Sequence, residues 1–545
     1  MIAGIKDIEF EISNILNSFE IEDDVEIRYS NIENTDIQCN NLVRHSNHSD
    51  IKDIKKKIES SLLDHPFIKT VEIAENSFIN LNFSNEYLNI YSKNHTARIT
   101  APKKESILFD YGGPNIGKDL HVGHIRTLNI GRSLYNIFKL AGHDVVSDIH
   151  LGDWGMPIGL ILAYVEKEKI DINSLTYLDL ETIYPRASEL SASDENFYKE
   201  AQEISKKLNS KNKKYLIKWE IIYNLAIPNI KNLLKNLDYE FDWWRGESDV
   251  VDEVKTVVNN AIEKNLVIED AGALVSTEED DPPILITKSD GSYLYLTTDL
   301  GTVAHREKSK KFDRYIYVVD SRQKKHFEQV FKTVKYFNLS SSNFLHVGFG
   351  TVNGPDKKPF KTRDGNVYKL SKLHEDIKEK LKEYNENEDV LSILTNTVLT
   401  FSDLLPNRNQ NYEFDLEKFT DINGKTGVYI QYAQVRAKKL LESKTEIVNA
   451  DVDNEYNHDE RKLLLLLSKF DYFYNQSLQN YQPHHLADYL YNLCQTFNSF
   501  YANNKIFSGD VPDEIKLKRT EIVENFYNLT SLTFRCLGIK LVDSM

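Results

Sequence analysis

The sequence predicts a multidomain α/β protein: a small N-terminal α/β domain, a Rossmann-type parallel-sheet domain with an insertion, and a C-terminal α-helical bundle. Three observations lead to this fold class. The chain has 545 residues, too many for one hydrophobic core, so we expect about three or four domains. A strand, a glycine-rich turn and a helix follow one another between residues 107 and 140. Beyond about residue 390, helical periodicity replaces strand patterns.

The first 88 residues are predicted to form a separate small domain. An amphipathic first helix is indicated by the apolar residues Ile8, Phe10, Ile12, Ile15 and Leu16. Residues 79–83 alternate between apolar side chains and asparagine, which is the period of a half-buried strand. A helix and a strand within so short a segment indicate a small α/β unit.

The sheet domain is predicted to begin with a βαβ unit. A strand at 107–109 passes through a Gly/Pro-rich turn into a helix near 122–140, and the next strand is expected at 145–149. Two parallel strands joined through a helix place their ligand crevice at the carboxyl ends of the strands. We therefore expect a nucleotide site near residue 110.

An insertion at about 160–283 is predicted to interrupt the sheet domain, which covers residues 89–375. The insertion is mostly helical and contains no cluster of site-like residues. After it, the segments 284–287 and 293–297 flank an Asp-Gly turn, a strong hairpin signal.

The rest of the chain begins with two more apolar strands of the sheet domain, at 315–319 and 344–347. A connecting helical segment is predicted at 376–428 and a helical domain at 429–545. Aromatic residues in the last domain are more typical of a helical core than of base-stacking platforms.

Amino-acid composition excludes several classes of protein. Cys39, Cys494 and Cys536 lie far apart without a CxxC pair, which excludes a disulfide framework and a cysteine-based zinc site and favours a reducing cytoplasm. The longest membrane-like apolar run, 463–467, is far shorter than the ~20 residues that span a bilayer. We expect no membrane partner and no signal peptide.

The net charge of −16 means that a nucleic-acid partner would need segregated basic surfaces. Two basic runs are candidates: Lys357, Lys358, Lys361 and Arg363, and then Arg436, Lys438, Lys439 and Lys444. The alternative, that these runs are ordinary solvated faces, stays open on charge alone.

Residues 109–126 carry the densest chemistry. A glycine-rich turn followed by a helix N-terminus favours a nucleotide phosphate, because backbone N–H groups and the helix dipole both attract negative charge. Lys118, His121 and His124 add a cation and two imidazoles, and Gly123 leaves room for an adenine. Two histidines three residues apart could alternatively form a metal pair or a surface patch.

The His-Val-Gly-His tetrad at 121–124 resembles the signature of class I aminoacyl-tRNA synthetases. The strings Pro-Asn-Ile-Gly-Lys at 114–118 and His-Leu-Gly-Asp-Trp-Gly at 150–155 look like those of arginyl-tRNA synthetases. Residues 36–40 resemble part of that family's tRNA-elbow domain, and residues 426–436 resemble the start of its anticodon-binding bundle.

The resemblance implies an arginine–tRNA ligase that uses ATP with Mg²⁺. Such an enzyme converts L-arginine to arginyl-adenylate and transfers it to the 3′ end of tRNA(Arg), releasing AMP and pyrophosphate. It implies that adenylate formation itself requires tRNA. We expect a cytoplasmic monomer without protein-bound zinc.

The resemblance also assigns residues to ATP. Residues 358–365 look like a degenerate KMSKS loop, in which Lys361 contacts the pyrophosphate and Lys358 and Arg363 assist. In relatives without a full KMSKS sequence, the lysine before the histidine tetrad is thought to compensate, and here that lysine is Lys118.

Arginine recognition requires acceptors for a planar fork of donors. By resemblance, the guanidinium contacts are Asp110, Tyr295 and Asp299, while Asn115 and Gln323 hold the α-amino and carboxylate groups. Gly113 stands where the family often has a serine. Asp299 could alternatively be an N-cap of the helix that follows it.

Three other functions agree less well with the sequence. A cysteinyl-tRNA synthetase would need a zinc cluster, which the sequence lacks. A non-catalytic tRNA-binding paralogue usually loses the tetrad histidines. A simple nucleotidyltransferase would not need the helical C-terminal third.

Overall fold

The computed structural model describes residues 4–32, 34–93, 99, 103–118, 120–354, 368–443, 455–507 and 511–545. Backbone contacts divide the chain into two compact units. One contains residues 1–100, 430–476 and 488–533; the other contains residues 101–429, 477–487 and 534–545.

The N-terminal segment is an antiparallel sheet with helices. Its elements are α1 (Gly4–Asn17), β1 (Ile27–Tyr29), β2 (Ile37–Cys39), α2 (Asn41–Arg44), α3 (Ile51–Leu63), β3 (Ile68–Ile73), β4 (Ile79–Phe83) and α4 (Asn85–Tyr91). The strand order is β1-β2-β4-β3. The prediction of a half-buried strand at 79–83 is confirmed, because its apolar side chains are buried and its asparagines are not.

One residue of the predicted apolar face of α1 is misplaced. Ile8 and Ile12 are fully buried, but Phe10 is 68% exposed. Two residues along a helix turn the side chain by about 200°, so Phe10 lies on the face opposite Ile8. The amphipathic helix is present, but Phe10 does not belong to its buried apolar face.

The second unit is built on a five-stranded sheet. Its elements up to the third strand are β5 (Ser106–Tyr111), α5 (Ile125–Leu140), β6 (Asp144–Leu151), α6 (Met156–Lys167), α7 (Tyr177–Ser193), α8 (Glu195–Asn209), α9 (Lys213–Asn236) and β7 (Trp243–Gly246). The predicted insertion at 160–283 therefore includes β7, which pairs with β6 in this sheet.

The chain then leaves the sheet and returns to it. The next elements are α10 (Val251–Glu263), β8 (Val267–Asp270), β9 (Ala273–Ser276), β10 (Leu285–Thr287), α11 (Tyr295–Ser309), β11 (Arg314–Asp320), α12 (Lys324–Tyr336), β12 (Asn343–Phe349), β13 (Val352–Asn353), α13 (Leu370–Leu381), α14 (Glu388–Leu404), β14 (Tyr412–Glu413) and α15 (Leu416–Thr420).

The sheet order is β12-β11-β5-β6-β7, and its paired strands are parallel. The chain proceeds from β5 outward to β7 on one side and later to β11 and β12 on the other. Strand order thus reverses between β5 and β11, and ligands of such sheets bind at the carboxyl ends beside this reversal. The predicted parallel α/β domain is confirmed.

The predicted hairpin is only half right. Thr287 and Tyr293 form a single antiparallel bridge around the Asp-Gly turn, but the expected second strand is absent because α11 begins at Tyr295. β10 instead joins β9 and β8 in a small antiparallel sheet. The turn signal was read correctly, whereas the short apolar run after it was a helix start.

The C-terminal segment is helical, as predicted. It contains α16 (Gly427–Glu442), α17 (His458–Ser468), α18 (Phe470–Asn480), α19 (His484–Asn503) and α20 (Asp513–Leu537). β14 is an exception to the absence of strands after residue 390; it is two residues long and pairs with β13. Within the described ranges, none of the helices has the length and apolarity that crossing a membrane requires.

Candidate active site

A cavity of about 800 Å³ opens at the carboxyl ends of β5 and β11, a size typical of small-molecule sites. Eight of the residues predicted for ATP or arginine line it: Asp110, Asn115, His121, Gly123, His124, Tyr295, Asp299 and Gln323. They come from two segments, 110–124 and 295–323, that are far apart in the sequence, and the sheet reversal brings them together.

The shortest hydrogen bonds of His121 and His124 favour one tautomer of each ring. His121 Nδ1 accepts from Gly123 N at 3.0 Å, and His124 Nδ1 accepts from His121 N at 3.1 Å, a shorter contact than the 3.3 Å between His124 Nδ1 and His121 O. A neutral imidazole that accepts at Nδ1 carries its proton on Nε2. Both rings, whose centroids lie 4.0 Å apart, therefore offer an Nε2–H donor.

His124 is held in the neutral state. Burial lowers the pKa of His124 to about 3, and the neighbouring His121 adds to the shift. Its proton therefore stays on Nε2 throughout the neutral pH range, and the ring acts as a hydrogen-bond donor and not as a cation.

The predicted lysines have different placements. Lys118 is exposed; its Nζ lies 4.9 Å from the centroid of the Tyr184 ring, and it does not line the cavity. Lys358, Lys361 and Arg363 lie outside the described residues.

Both flanks of the basic segment are nevertheless anchored at the cavity. Upstream, Gly350, Thr351 and Val352 line it. Downstream, Tyr368 O accepts from Val122 N at 3.0 Å, next to the histidine pair.

Close backbone packing explains two glycines. A Cβ on Gly113 would lie 2.1 Å from the carbonyl oxygen of His150, so the serine common in the family does not fit this backbone. A Cβ on Gly123 would lie 2.7 Å from the His121 ring. Gly123 therefore makes room for His121 as well as for the expected adenine.

Arg306, which the sequence analysis did not select, lies beneath the cavity floor. Its guanidinium contacts Asp110 at 2.5 Å and Asp148 at 2.8 Å, and it donates to the Tyr317 hydroxyl at 3.2 Å. Burial raises the pKa of Asp110 to about 6, against the opposing effect of Arg306. Asp110 therefore reaches the cavity with part of its charge already compensated.

Asp299 is paired within the cavity. His326 Nε2 and Asp299 Oδ2 are 2.6 Å apart, and both residues line the pocket. Helix α11 begins at Tyr295, so Asp299 lies inside the helix and the alternative of an N-cap was wrong. Tyr295 is 64% exposed at the rim.

Glu247 was also missed, because the insertion was considered free of site residues. It lines the same cavity, and burial raises the pKa of Glu247 to about 8, with added repulsion from Asp153 and Asp299. Asp153 accepts from Ser248 N at 3.0 Å and from Ser248 Oγ at 2.5 Å, which fixes the turn that carries Glu247. The string at 150–155 was the available signal.

Family models match three parts of the chain. Residues 5–83 match the arginyl-tRNA synthetase N-terminal domain, residues 86–416 the catalytic domain of class I tRNA synthetases (R), and residues 430–545 the DALR anticodon-binding domain.

Relatives and solved structures agree with these matches. The arginine–tRNA ligase of Agathobacter rectalis is 33% identical over 90% of both chains, and that of Francisella tularensis subsp. novicida is 35% identical over 87% of both. The arginyl-tRNA synthetase of Plasmodium falciparum has a TM-score of 0.80 at 24% identity over 99% of both chains. That of Thermus thermophilus has a TM-score of 0.80 at 17% identity over the whole of both chains.

Two Nε2–H donors, an acidic cavity at the sheet reversal and matches along nearly the whole sequence lead to one conclusion. The chain belongs to the arginyl-tRNA synthetase family of class I aminoacyl-tRNA synthetases.

Proposed function

We propose that this chain activates L-arginine with ATP and Mg²⁺ and transfers it to the 3′ end of tRNA(Arg), releasing AMP and pyrophosphate, through the cavity at β5 and β11. One observation carries the proposal: the imidazoles of His121 and His124 and the carboxyl groups of Asp110, Glu247 and Asp299 line the same cavity. The imidazole donors suit an anionic triphosphate, and the carboxyl groups suit a cationic amino acid.

The histidine side binds the triphosphate. The arginine carboxylate forms a bond to the α-phosphorus while the bond to the β-phosphate oxygen breaks, and negative charge moves onto the leaving pyrophosphate. The Nε2–H groups of His121 and His124 stabilise that charge without reorganising. The basic segment with Lys358, Lys361 and Arg363 adds cations, which the anchored flanks of that segment support. Lys118, which does not line the cavity, is assigned to the triphosphate by resemblance alone.

The acidic side binds the side chain of arginine. Asp299, Glu247 and the Tyr295 hydroxyl offer acceptors to the guanidinium, whose planar fork requires several of them. Asp110 belongs to this set, but Arg306 already compensates part of its charge. A neutral side chain would leave these acceptors unpaired in the cavity, which rejects it.

The α-amino and carboxylate groups are assigned to Asn115 and Gln323. Asn115 lies in the segment that pairs with Gly152, where Gly152 N donates to Pro114 O at 3.0 Å and Ile116 N to Gly152 O at 3.2 Å. This pairing holds Asn115 in the cavity wall, and Gln323 is an exposed residue that lines the same cavity.

Transfer RNA is proposed to contact both terminal domains, the elbow at 1–88 and the anticodon at 429–545. On α16, the Arg436 guanidinium lies 4.6 Å from the ring centroids of both Tyr432 and Tyr501, which are 37% and 39% exposed. Exposed aromatic rings beside an arginine suit stacking with unpaired bases. Residues 89–375 form the catalytic domain and residues 376–428 the connection between domains, in a cytoplasmic monomer.

Charging of radiolabelled arginine onto tRNA tests the function directly. The full chain should charge arginine but not lysine or citrulline, and no other amino acid should compete. Asp299→Ala should raise the KM for arginine far more than the KM for ATP. Charging of a different amino acid, or none with any tRNA, would contradict the proposal.

A further inference from the structure

Asp299 and His326 form a hydrogen-bonded pair at the acidic side of the cavity. The Nε2–Oδ2 distance is 2.6 Å, and the side chains are 24% and 28% exposed. Among the residues that the structure describes, His326 is the one that donates to the Asp299 carboxylate. The pair joins α11 to the first turn of α12, and both side chains line the cavity.

The direction of the hydrogen bond follows from the chemistry of the partners. An ionised carboxylate has no proton to donate, so the imidazole donates from Nε2. This hydrogen bond restricts the rotation of the Asp299 side chain, while the second oxygen, Oδ1, keeps its acceptor capacity.

The other charged side chains near Asp299 show what His326 contributes. Asp299 shares the cavity with the carboxyl groups of Asp110 and Glu247. Arg306 contacts Asp110 and Asp148 directly. His326 is thus the donor that serves Asp299.

We propose that His326 is a positioning residue, which holds the Asp299 carboxylate oriented to receive the guanidinium of arginine and so sets the preference for a cationic side chain. This inference rests on the proposed function and deepens it. His326 acts through Asp299 and needs no contact with the substrate.

Steady-state charging by the full-length protein, with tRNA and saturating ATP, tests the role. His326→Leu removes the donor at similar volume and is expected to raise the KM for arginine about tenfold or more, because hydrogen bonds to charged groups have that weight. The KM for ATP should stay within about twofold of the parent value. The ratio of kcat/KM for arginine to kcat/KM for its neutral isostere citrulline should fall.

A conservative variant and a matched control complete the test. His326→Gln places an amide donor near the Nε2 position and should restore most of the affinity for arginine. His305→Leu is the control: His305 lies on α11, is 27% exposed and sits 3.6 Å from a carboxylate oxygen of Glu253, but it does not line the cavity. Its kinetics should match those of the parent.

The possible results distinguish a failure of this inference from a failure of the proposed function. An unchanged or lowered KM for arginine in His326→Leu would overturn the proposal, as would equal rises for arginine and ATP. If His326→Leu does not fold, His326→Asn, whose shorter amide cannot reach Asp299, is compared with His326→Gln; equal KM values would overturn it. A parent protein that fails to charge arginine would instead refute the proposed function.

Discussion

Arg306 and Asp110 form a buried ion pair directly beneath the cavity, with 2.5 Å between Nη2 and Oδ2 and no exposure of the Arg306 side chain. The protein thus places an arginine of its own beside a carboxylate that the sequence assigns to the substrate. One guanidinium is structural, and the carboxylates of Asp299 and Glu247 remain for the ligand.

Removal of this internal guanidinium should destabilise the catalytic domain. Arg306→Met leaves Asp110 and Asp148 buried without their cation, which typically costs about 3–5 kcal/mol. Thermal unfolding should shift downward accordingly. Arg322→Met is the control, since Arg322 pairs with Asp320 while 78% exposed, and we expect a change below about 1 kcal/mol. Similar shifts for both variants would argue against a structural role for Arg306.

His124 can be tested by moving its donor. ATP–pyrophosphate exchange with tRNA present should fall about 100-fold or more in His124→Ala, the usual cost of a lost transition-state donor. His124→Gln, with its amide near the Nε2 position, should retain more activity than His124→Asn. His143→Gln, a substitution away from the cavity, should behave like the parent. Equal losses in the Gln and Asn variants would contradict the assigned tautomer.

Gly113 should not tolerate the family's usual serine. A Cβ at this position meets the carbonyl oxygen of His150 at 2.1 Å, so the strand end and the following segment must separate. Overpacking of this kind costs about 1–3 kcal/mol. Gly113→Ser and Gly113→Ala should therefore both lower thermal stability and the kcat for charging. A gain in arginine affinity in Gly113→Ser alone would show instead that the hydroxyl is accommodated.

Arginine binding should depend on pH through Glu247. Its pKa is raised to about 8 by burial and by Asp153 and Asp299, so the free enzyme holds a proton there at pH 7. A guanidinium favours the ionised form, so binding releases that proton and the KM for arginine should fall as pH rises from about 6.5 to 8.5.

The matched variants are Glu247→Gln, which should weaken binding and flatten this profile, and Glu166→Gln. Glu166 pairs with Lys218 at 2.6 Å away from the cavity, and its loss should leave the slope unchanged. A profile that is already flat in the parent would rule out proton release at Glu247.

Asp36 links the N-terminal segment to α17. Its carboxylate contacts Arg461 at 2.5 and 3.1 Å and accepts from Phe83 N at 2.9 Å. Asp36→Asn can keep the hydrogen bond from Phe83 N but loses the ion pair with Arg461. We expect this loss to lower the free energy of unfolding by about 1.5–3 kcal/mol. We expect a higher KM for tRNA with the KM for arginine unchanged.

Asp23→Asn provides the comparison, because Asp23 forms its ion pairs among the described residues within the N-terminal segment, with Arg44 and His45. In a double-mutant cycle, Arg461→Met should cost little once Asp36 is already Asn. Additive effects would show that the two side chains do not interact.

Local patterns were enough to predict much of the fold. The strand–turn–helix at the first nucleotide element, the strands at 315–319 and 344–347 and the helical C-terminal segment are confirmed, since each depends on hydrophobic period and turn chemistry within one segment. The segment 293–297 was misread because a short apolar run after a turn starts a strand or a helix equally well. Only the packing of α11 against its neighbours distinguishes the two.

The sequence by itself determined the family, the parallel sheet and eight of the residues that line the cavity, because those residues lie in short strings with a fixed spacing. The tertiary structure decided which charged side chains are compensated by other residues of the protein and which can pair with a ligand. Arg306, His326 and Glu247 have no signal in their own segments; they matter because the fold places them near Asp110 or Asp299. Charge compensation depends on distance in space and on burial, and neither can be read from positions along a chain.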